Sequence, residues 1–462
     1  MTPLSNRSLI EIDRDHLIHP VMSFRGHEKA GARILESGDG MWLTDIDGRR
    51  MIDAFAGLWC VNVGYGQDSI VDVAAEQMRK LPYATGFFGF ACESAIRLAG
   101  ELTALAPAGL DHVYFTLGGS DAVDSAIRYI VHYMNATGRP EKKHFIAQVN
   151  GYHGSSSMGA GLTALPHMQR GFDVPLGWQH HIPSPFAYRH PAGDDPQALI
   201  AASVAALEAK VAELGGPDKV AAFFCEPVQG SGGVIVPPVG WLKAMRAACT
   251  RLDILMVADE VITGFGRTGP LFACNTEGVS PDLMTMAKGL TGGYMPMGAV
   301  MMADHVYQGI ADGADPSLPI GHGYTYSAHP VSAAVALECL RLYQSGLLAN
   351  GERTGARFSQ HMEAIKDHPL VGDVRWRGLL GAIELVNDKA AKTNFAYDTG
   401  IAAKLAQITW DEGLLVRCFA NGALGFAPAL CCTEGEMDDI FHRVHRTLDK
   451  LLDYPEIRAA MA

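Results

Sequence analysis

The sequence predicts an α/β fold: a large domain around a mostly parallel sheet, followed by a smaller α+β domain. Three observations carry this. Apolar runs of strand length recur through the middle of the chain, near-continuous as in strands covered on both faces. Stretches of helical periodicity separate them, the alternation expected of βαβ units. Past Pro330 the texture changes to a long helix and short mixed elements.

Taken in order, residues 1–29 read as an arm with a short helix. Gly40 to Gly48 reads as a strand running into an Asp-Gly hairpin turn, with a second strand through Met51-Ile52-Asp53. The large-domain strand candidates are His112–Leu117, His144–Val149, Val220–Cys225, Ile254–Ala258, Leu283–Ala287 and Gly298–Ala303. Between the first two, Val123, Ala126, Ile127, Ile130, Val131 and Met134 mark one face of a helix. A second helix is expected over Pro196–Leu214. Beyond Pro330 the reading is a helix over Val331–Tyr343, short strands at Trp376–Glu384 and Leu414–Arg417, and a final helix over Glu436–Leu452. The expected division is an N-terminal arm and part of the small domain (1–60), a large domain (61–330) and a C-terminal small domain (331–462). There is no repeat or low-complexity stretch.

At 462 residues, 48% hydrophobic and 19% charged, the chain is long enough for two or more domains. Its formal net charge of −13 and lack of a basic tract argue against nucleic-acid binding. The nine cysteines are odd in number and form no CxxC pair, which reads as reduced thiols of a cytoplasmic protein. Residues 1–17 contain no apolar signal region, and no run reaches membrane-spanning length. No histidine or cysteine spacing matches a metal motif, so no metal is expected.

Two strand ends stand out chemically. Leu283-Met284-Thr285-Met286-Ala287 delivers Lys288, and Ile254 to Ala258 delivers Asp259. Desolvation at a buried strand end lowers a lysine's pKa and makes it a nucleophile toward an aldehyde. An amine and an acid so placed suit pyridoxal phosphate, one for the aldehyde carbon and one for the ring nitrogen. A buried Lys–Asp ion pair is the alternative.

Other stretches are weaker singly. Gly118-Gly119-Ser120 leads from a strand into a helix, as a phosphate cradle or as an ordinary N-cap. Asn150 to Ser155 offers Tyr152 and His153 after a strand, and Glu226-Pro227 ends another. Thr325, in a polar glycine-rich stretch, is a second phosphate donor candidate. Gly264 to Gly269 spells G-x-G-x-x-G, but five residues separate it from the strand and Pro270 follows where a helix should open. That spacing argues against a dinucleotide fingerprint.

Together these motifs resemble the class III (omega) aminotransferases, fold-type I pyridoxal-phosphate enzymes, along nearly the whole chain. The matching stretches are Gly119-Ser120-Asp121-Ala122, Gly151-Tyr152-His153-Gly154, Glu226 to Gly230, Asp259-Glu260-Val261, Gly264 to Gly269, Thr285 to Gly289 and Gly323 to Tyr326. The resemblance implies a seven-stranded sheet and pyridoxal 5′-phosphate as cofactor. It implies Lys288 as Schiff-base lysine and proton shuttle, and Asp259 at the pyridine nitrogen. Val261 and Tyr152 would flank the ring, with His153 and Glu226 alongside. Gly119 and Ser120 would hold the phosphate, and Thr325 the phosphate in the neighbouring subunit. A homodimer, or a dimer of dimers, with shared active sites follows.

Within the family the amine:pyruvate branch is most similar. Gly57 to Gly66, with Trp59, resembles its pocket-lining segment. Phe87 and Phe88 resemble the aromatic wall lent by the partner, and Arg417 the mobile arginine for a keto-acid carboxylate. Two positions depart from relatives. Gly425 stands where ornithine-type members carry an arginine in Arg-Phe-x-Pro, and Asp121 stands where a glutamate is usual. The expected reaction is ping-pong transfer of an amino group from a primary amine or ω-amino acid to pyruvate. An aminomutase, or a decarboxylase of the dialkylglycine type, is the alternative on the same scaffold.

Overall fold

The computed structural model describes residues 8–193 and 195–461. The arm holds two short helices, Leu9–His16 and Phe24–Ala30; residues 1–7 lie outside the described part. Ser8 and Glu11 close the first helix with a reciprocal cap. Strands β1 (Leu35–Asp39), β2 (Trp42–Asp45) and β3 (Arg50–Asp53) follow as an antiparallel meander. Their second turn is held by Asp45, whose carboxylate accepts from the Asp47 and Arg49 amides at 3.0 and 2.9 Å.

The central sheet is seven-stranded. It comprises β4 (Leu110–Thr116), β5 (His144–Gln148), β6 (Gln179–Ile182), β7 (Val220–Cys225), β8 (Leu255–Asp259), β9 (Leu283–Met286) and β10 (Gly298–Ala303). Their order is β4-β10-β9-β8-β7-β5-β6. The pairs from β6 to β9 are parallel, and β10 runs antiparallel between β9 and β4. Every residue of β7 to β10 is buried, which explains their unbroken apolar sequences. The edge strand β6 has no such run. It reads Gln-His-His-Ile and buries only its two ends, so its sequence carries no strand signal.

The intervening helices follow their sequence faces. Gly119–Ala136 buries Ala122, Val123, Ala126, Ile127, Ile130 and Met134 beneath the sheet, with Val131 half-buried. Pro196–Glu213 starts where Asp195 accepts from the amides of Gln197 and Ala198.

The C-terminal part follows helices Pro330–Leu342 and Leu348–Ala364. It contains β11 (Val371–Arg377), β12 (Leu380–Leu385), β13 (Leu414–Leu415), β14 (Arg417–Cys418) and β15 (Leu424–Phe426), with helix Glu434–Leu451 near the end. Two expected strands are corrected here. Trp376–Glu384 is not one strand but a hairpin of β11 and β12. It reverses at Gly378, whose φ is +59° and where a Cβ would sit 2.5 Å from the carbonyl carbon of Thr268. Leu414–Arg417 is also divided. Its first half, β13, pairs parallel with β3, while Arg417 opens β14, which pairs with β15 in another sheet. The chain's two ends are thereby joined in the sheet β1-β2-β3-β13. Among the described residues no helix is long and apolar enough to cross a membrane, and all nine cysteines are free.

Candidate active site

The site lies at the C-terminal ends of the parallel strands, where ligands bind in open α/β sheets. β8 ends on Asp259, and Lys288 follows β9 by two residues. These strands are paired, with Asp259 opposite Thr285. Glu226 directly follows β7, and the loop after β5 carries Tyr152 and His153. Gly119, Ser120, Tyr152, His153, Glu226, Asp259, Val261 and Lys288 all line one pocket.

Lys288 has a φ of +43°, a left-handed conformation unusual for a side-chain-bearing residue. Its ammonium is 5.3 Å from the centre of the Trp59 ring. Burial pushes its pKa down, against the opposing pull of Cys60, Asp259 and Glu226.

Asp259 is 3% exposed and tightly held. His153 Nδ1 is 2.9 Å from its Oδ2, and the Val261 amide donates to its Oδ1 at 3.2 Å. Burial works to lower the His153 pKa, but the hydrogen bond and charge of Asp259, with Glu226 nearby, raise it overall. Glu226 accepts from the amides of Tyr152 and Gly230, each at 2.9 Å. Its burial pushes its pKa up to about 7 despite His153.

The mouth of helix Gly119–Ala136 has no side-chain cap. Asp121 turns away from it, accepting from the Leu117 amide at 2.7 Å, so the shorter acid serves the strand end. The first amides of the helix are left for an anion. Ser120 Oγ accepts from the Ser155 amide at 3.1 Å and keeps its own proton to donate. Gly119 is required by contact, since a Cβ there would meet Val261 Cγ1 at 3.0 Å.

Trp59 is 3% exposed, in a cluster with Val228, Ile262 and Phe419. Its loop is pinned by Asp53, which accepts from the amides of Phe55 and Gly57 at 2.9 and 2.7 Å and from the Tyr65 hydroxyl at 2.7 Å.

The class III aminotransferase family model matches residues 25–448. The chain belongs to the class III aminotransferases. It is 37% identical over 452 residues to putrescine–pyruvate aminotransferase of Pseudomonas aeruginosa, covering 97% of this chain and 98% of that one. It is also 37% identical over 456 residues to diaminobutyrate–2-oxoglutarate transaminase of Halomonas elongata, covering 97% of each. The omega transaminase from Pseudomonas jessenii, solved in complex with PMP, superposes with a TM-score of 0.94 at 37% identity, covering 97% of this chain and 99% of that one.

Five of the residues singled out in this aminotransferase's sequence are not among those lining the pocket, and of these Trp59 stays beside it through its ring's approach to Lys288. Thr325 is exposed, its carbonyl accepting from the Tyr83 hydroxyl at 2.9 Å. Phe87 and Phe88 are 37% and 92% exposed, and Phe87 packs against Gly323. Arg417 is half-buried with its guanidinium 5.4 Å from the Phe419 ring centre, and that guanidinium makes no hydrogen bond or ion pair with the described residues. Burial lowers its pKa. Gly425 has a packing reason: a Cβ there would lie 2.7 Å from the Phe419 ring and 3.3 Å from Arg417 Cβ.

Sequence reasoning missed several contributors. Ile262 and Gly154 also line the pocket. Gly154 has a φ of +107°, and a Cβ there would sit 2.8 Å from Ser120 Cα; its place in Gly-Tyr-His-Gly was the available signal. Asp53 and Tyr65 gave none, because their partnership is tertiary. The G-x-G-x-x-G stretch supplies Arg267, fully buried, which donates to Asn62 Oδ1 and the Pro428 carbonyl, each at 2.6 Å. That loop clamps the two ends of the chain.

Proposed function

We propose that this aminotransferase binds pyridoxal 5′-phosphate and transfers an amino group from a primary amine or ω-amino acid to pyruvate, giving alanine. The observation that carries the reading is an amine and a carboxylate, Lys288 and Asp259, at the ends of adjacent parallel strands and facing one pocket. The residues present fit the group. Nζ of Lys288 has a lowered pKa, the helix mouth beside Ser120 is uncapped, and the Asp259 carboxylate is fixed by His153.

Lys288 would hold the cofactor through Nζ, Asp259 its ring nitrogen, and Gly119 and Ser120 its phosphate, between Val261 and Tyr152. When bound, the cofactor supplies the electron sink for the chemistry. The protein's share is positional and acid–base. Lys288 Nζ takes and returns a proton, a task for which a pKa nearer neutrality suits it, and such help is worth ~10²–10⁴-fold. Asp259 keeps a proton on the group facing its carboxylate, and His153 holds Asp259 still. Trp59 and Tyr152 exclude water from the apolar side of the donor.

Arg417 would receive the carboxylate of the keto acid, and a guanidinium with no hydrogen-bonding or ionic partner among the described residues supports this. The name of the Pseudomonas aeruginosa relative supports pyruvate as acceptor. Phe87, Phe88 and Thr325, exposed and outside their own chain's pocket, support a homodimer or dimer of dimers in which they complete the partner's site. Free thiols throughout support a cytoplasmic protein.

A panel of diamines, ω-amino acids and aryl-alkyl amines, each offered with pyruvate and read by alanine formation, tests the reaction. No alanine from any donor, with an isomerised amine or carbon dioxide released instead, would overturn it.

A further inference from the structure

We infer that Asp13, His19 and His27 form a site for a divalent transition-metal ion, with zinc the best match to the donors. The three residues come from the first arm helix, the turn after it and the second arm helix. One ligand atom from each can be chosen so that all lie within 4.8 Å of one another. His19 Nε2 is 2.7 Å from Asp13 Oδ1, and His27 Nε2 is 3.0 Å from Asp13 Oδ2. The two imidazole rings lie 4.5 Å apart, tilted by 51°.

An ordinary hydrogen-bonded clasp explains only half of this. The His19–Asp13 contact is a hydrogen bond. His27 is 6% exposed, yet neither of its ring nitrogens makes a hydrogen bond, and Asp13 Oδ2 has no hydrogen-bond partner either. The 3.0 Å approach of His27 to that oxygen therefore lacks hydrogen-bond alignment. A buried imidazole and a buried carboxylate oxygen left in that state are costly. A cation between them satisfies both at once.

Two neutral imidazoles and one carboxylate are a zinc donor set, with a fourth position open to water. Tetrahedral ligation at ~2.0–2.1 Å spaces ligand atoms about 3.3 Å apart, so ligand atoms that already lie within 4.8 Å of one another need to close by at most about 1.5 Å to meet an ion. His19, 29% exposed at its side chain, lies on the route from solvent. The site lies in the arm, on no residue assigned above to the aminotransferase pocket. Its ion would tie the two arm helices across residues 17–23, a loop with Leu17, Ile18, Val21 and Met22 exposed.

The test is calorimetric titration of Zn²⁺ into the full-length, cofactor-loaded protein after dialysis against a chelator, together with His19→Gln and His27→Gln. The expected result is one site per chain at low micromolar affinity or tighter in the wild type, lost in both variants. Zinc should raise the melting temperature of the wild type and not of the variants, and His19→Gln should leave transamination unchanged. Should buried His27→Gln fail to fold, the exposed-side variant His19→Gln decides. A wild type that binds no zinc at that affinity, or a His19→Gln that binds it equally well, would overturn the site.

Discussion

His153 Nδ1 lies 2.9 Å from Asp259 Oδ2, and neither side chain is more than 4% exposed. The imidazole therefore sits behind the carboxylate as its fixed partner. Its raised pKa means that it carries its proton above the ordinary histidine range. A raised pKa contributes stability that is full below the unfolded value of 6.5 and is lost as pH climbs through the folded value. In the cofactor-free protein, the melting-temperature gap between wild type and His153→Gln should be widest below pH 6.5 and narrow above it. A gap that widens with pH contradicts this partnership.

Glu226 gives a second pH signature of the same sign. Its carboxyl rises from 4.5 to about 7 because it is buried. The folded state then binds the extra proton, so stability should fall as pH rises from 4.5 to about 7 and level off beyond. Glu226→Gln keeps one of the two acceptor oxygens, gives up the other to an amide nitrogen that cannot accept, and removes the titration, so the shape of its pH profile and not its absolute stability is the readout. The variant should flatten the melting-temperature profile across that window in the cofactor-free protein.

Lys288→Ala should cost at least ~10²–10⁴-fold in turnover, the range for a positioned acid–base group. The variant should also change the visible absorbance of the bound cofactor while the fold, read by circular dichroism, is retained. A wild-type rate in this variant would remove the basis of the proposed function.

Arg417→Leu should raise KM for pyruvate and leave KM for an uncharged amine donor near its wild-type value. A charge-assisted contact of ~1.5–3 kcal/mol corresponds to a rise of about 10- to 150-fold. Equal effects on both half-reactions would mean that Arg417 acts on the fold instead of on the keto acid.

Arg267→Leu should destabilise the protein by ~2–5 kcal/mol, because Asn62 Oδ1 and the carbonyls of Pro428 and Leu379 lose a buried donor. Urea unfolding measures it. A neutral result would mean that the loop's carbonyls find water once the guanidinium is gone.

Where side-chain period and burial coincide, the sequence was sufficient. The unbroken apolar strands β7 to β10 and the helix face from Val123 to Met134 fall in this group, since burial on both faces or on one stripe leaves its own pattern. Lys288 and Asp259 were legible because each polar residue directly ends such a run. The strand β6 was not, because an edge can afford histidines. The hairpin at Gly378 and the division of Leu414 to Cys418 between two sheets were hidden for another reason, because Arg377-Gly378 and Arg417 interrupt their runs without showing which strand each half pairs with.

The linear order of residues by itself determined the α/β class, the strand-end amine and acid, and the absence of any long basic stretch. Only the folded chain decided that β8 and β9 are neighbours, that His153 backs Asp259, that Asp53 pins the Trp59 loop, and that Asp13, His19 and His27 converge. The reason is physical. Local periodicity reports how much of each element is covered, whereas which side chain meets which depends on sheet order and loop closure, and these bring together residues separated by up to hundreds of positions.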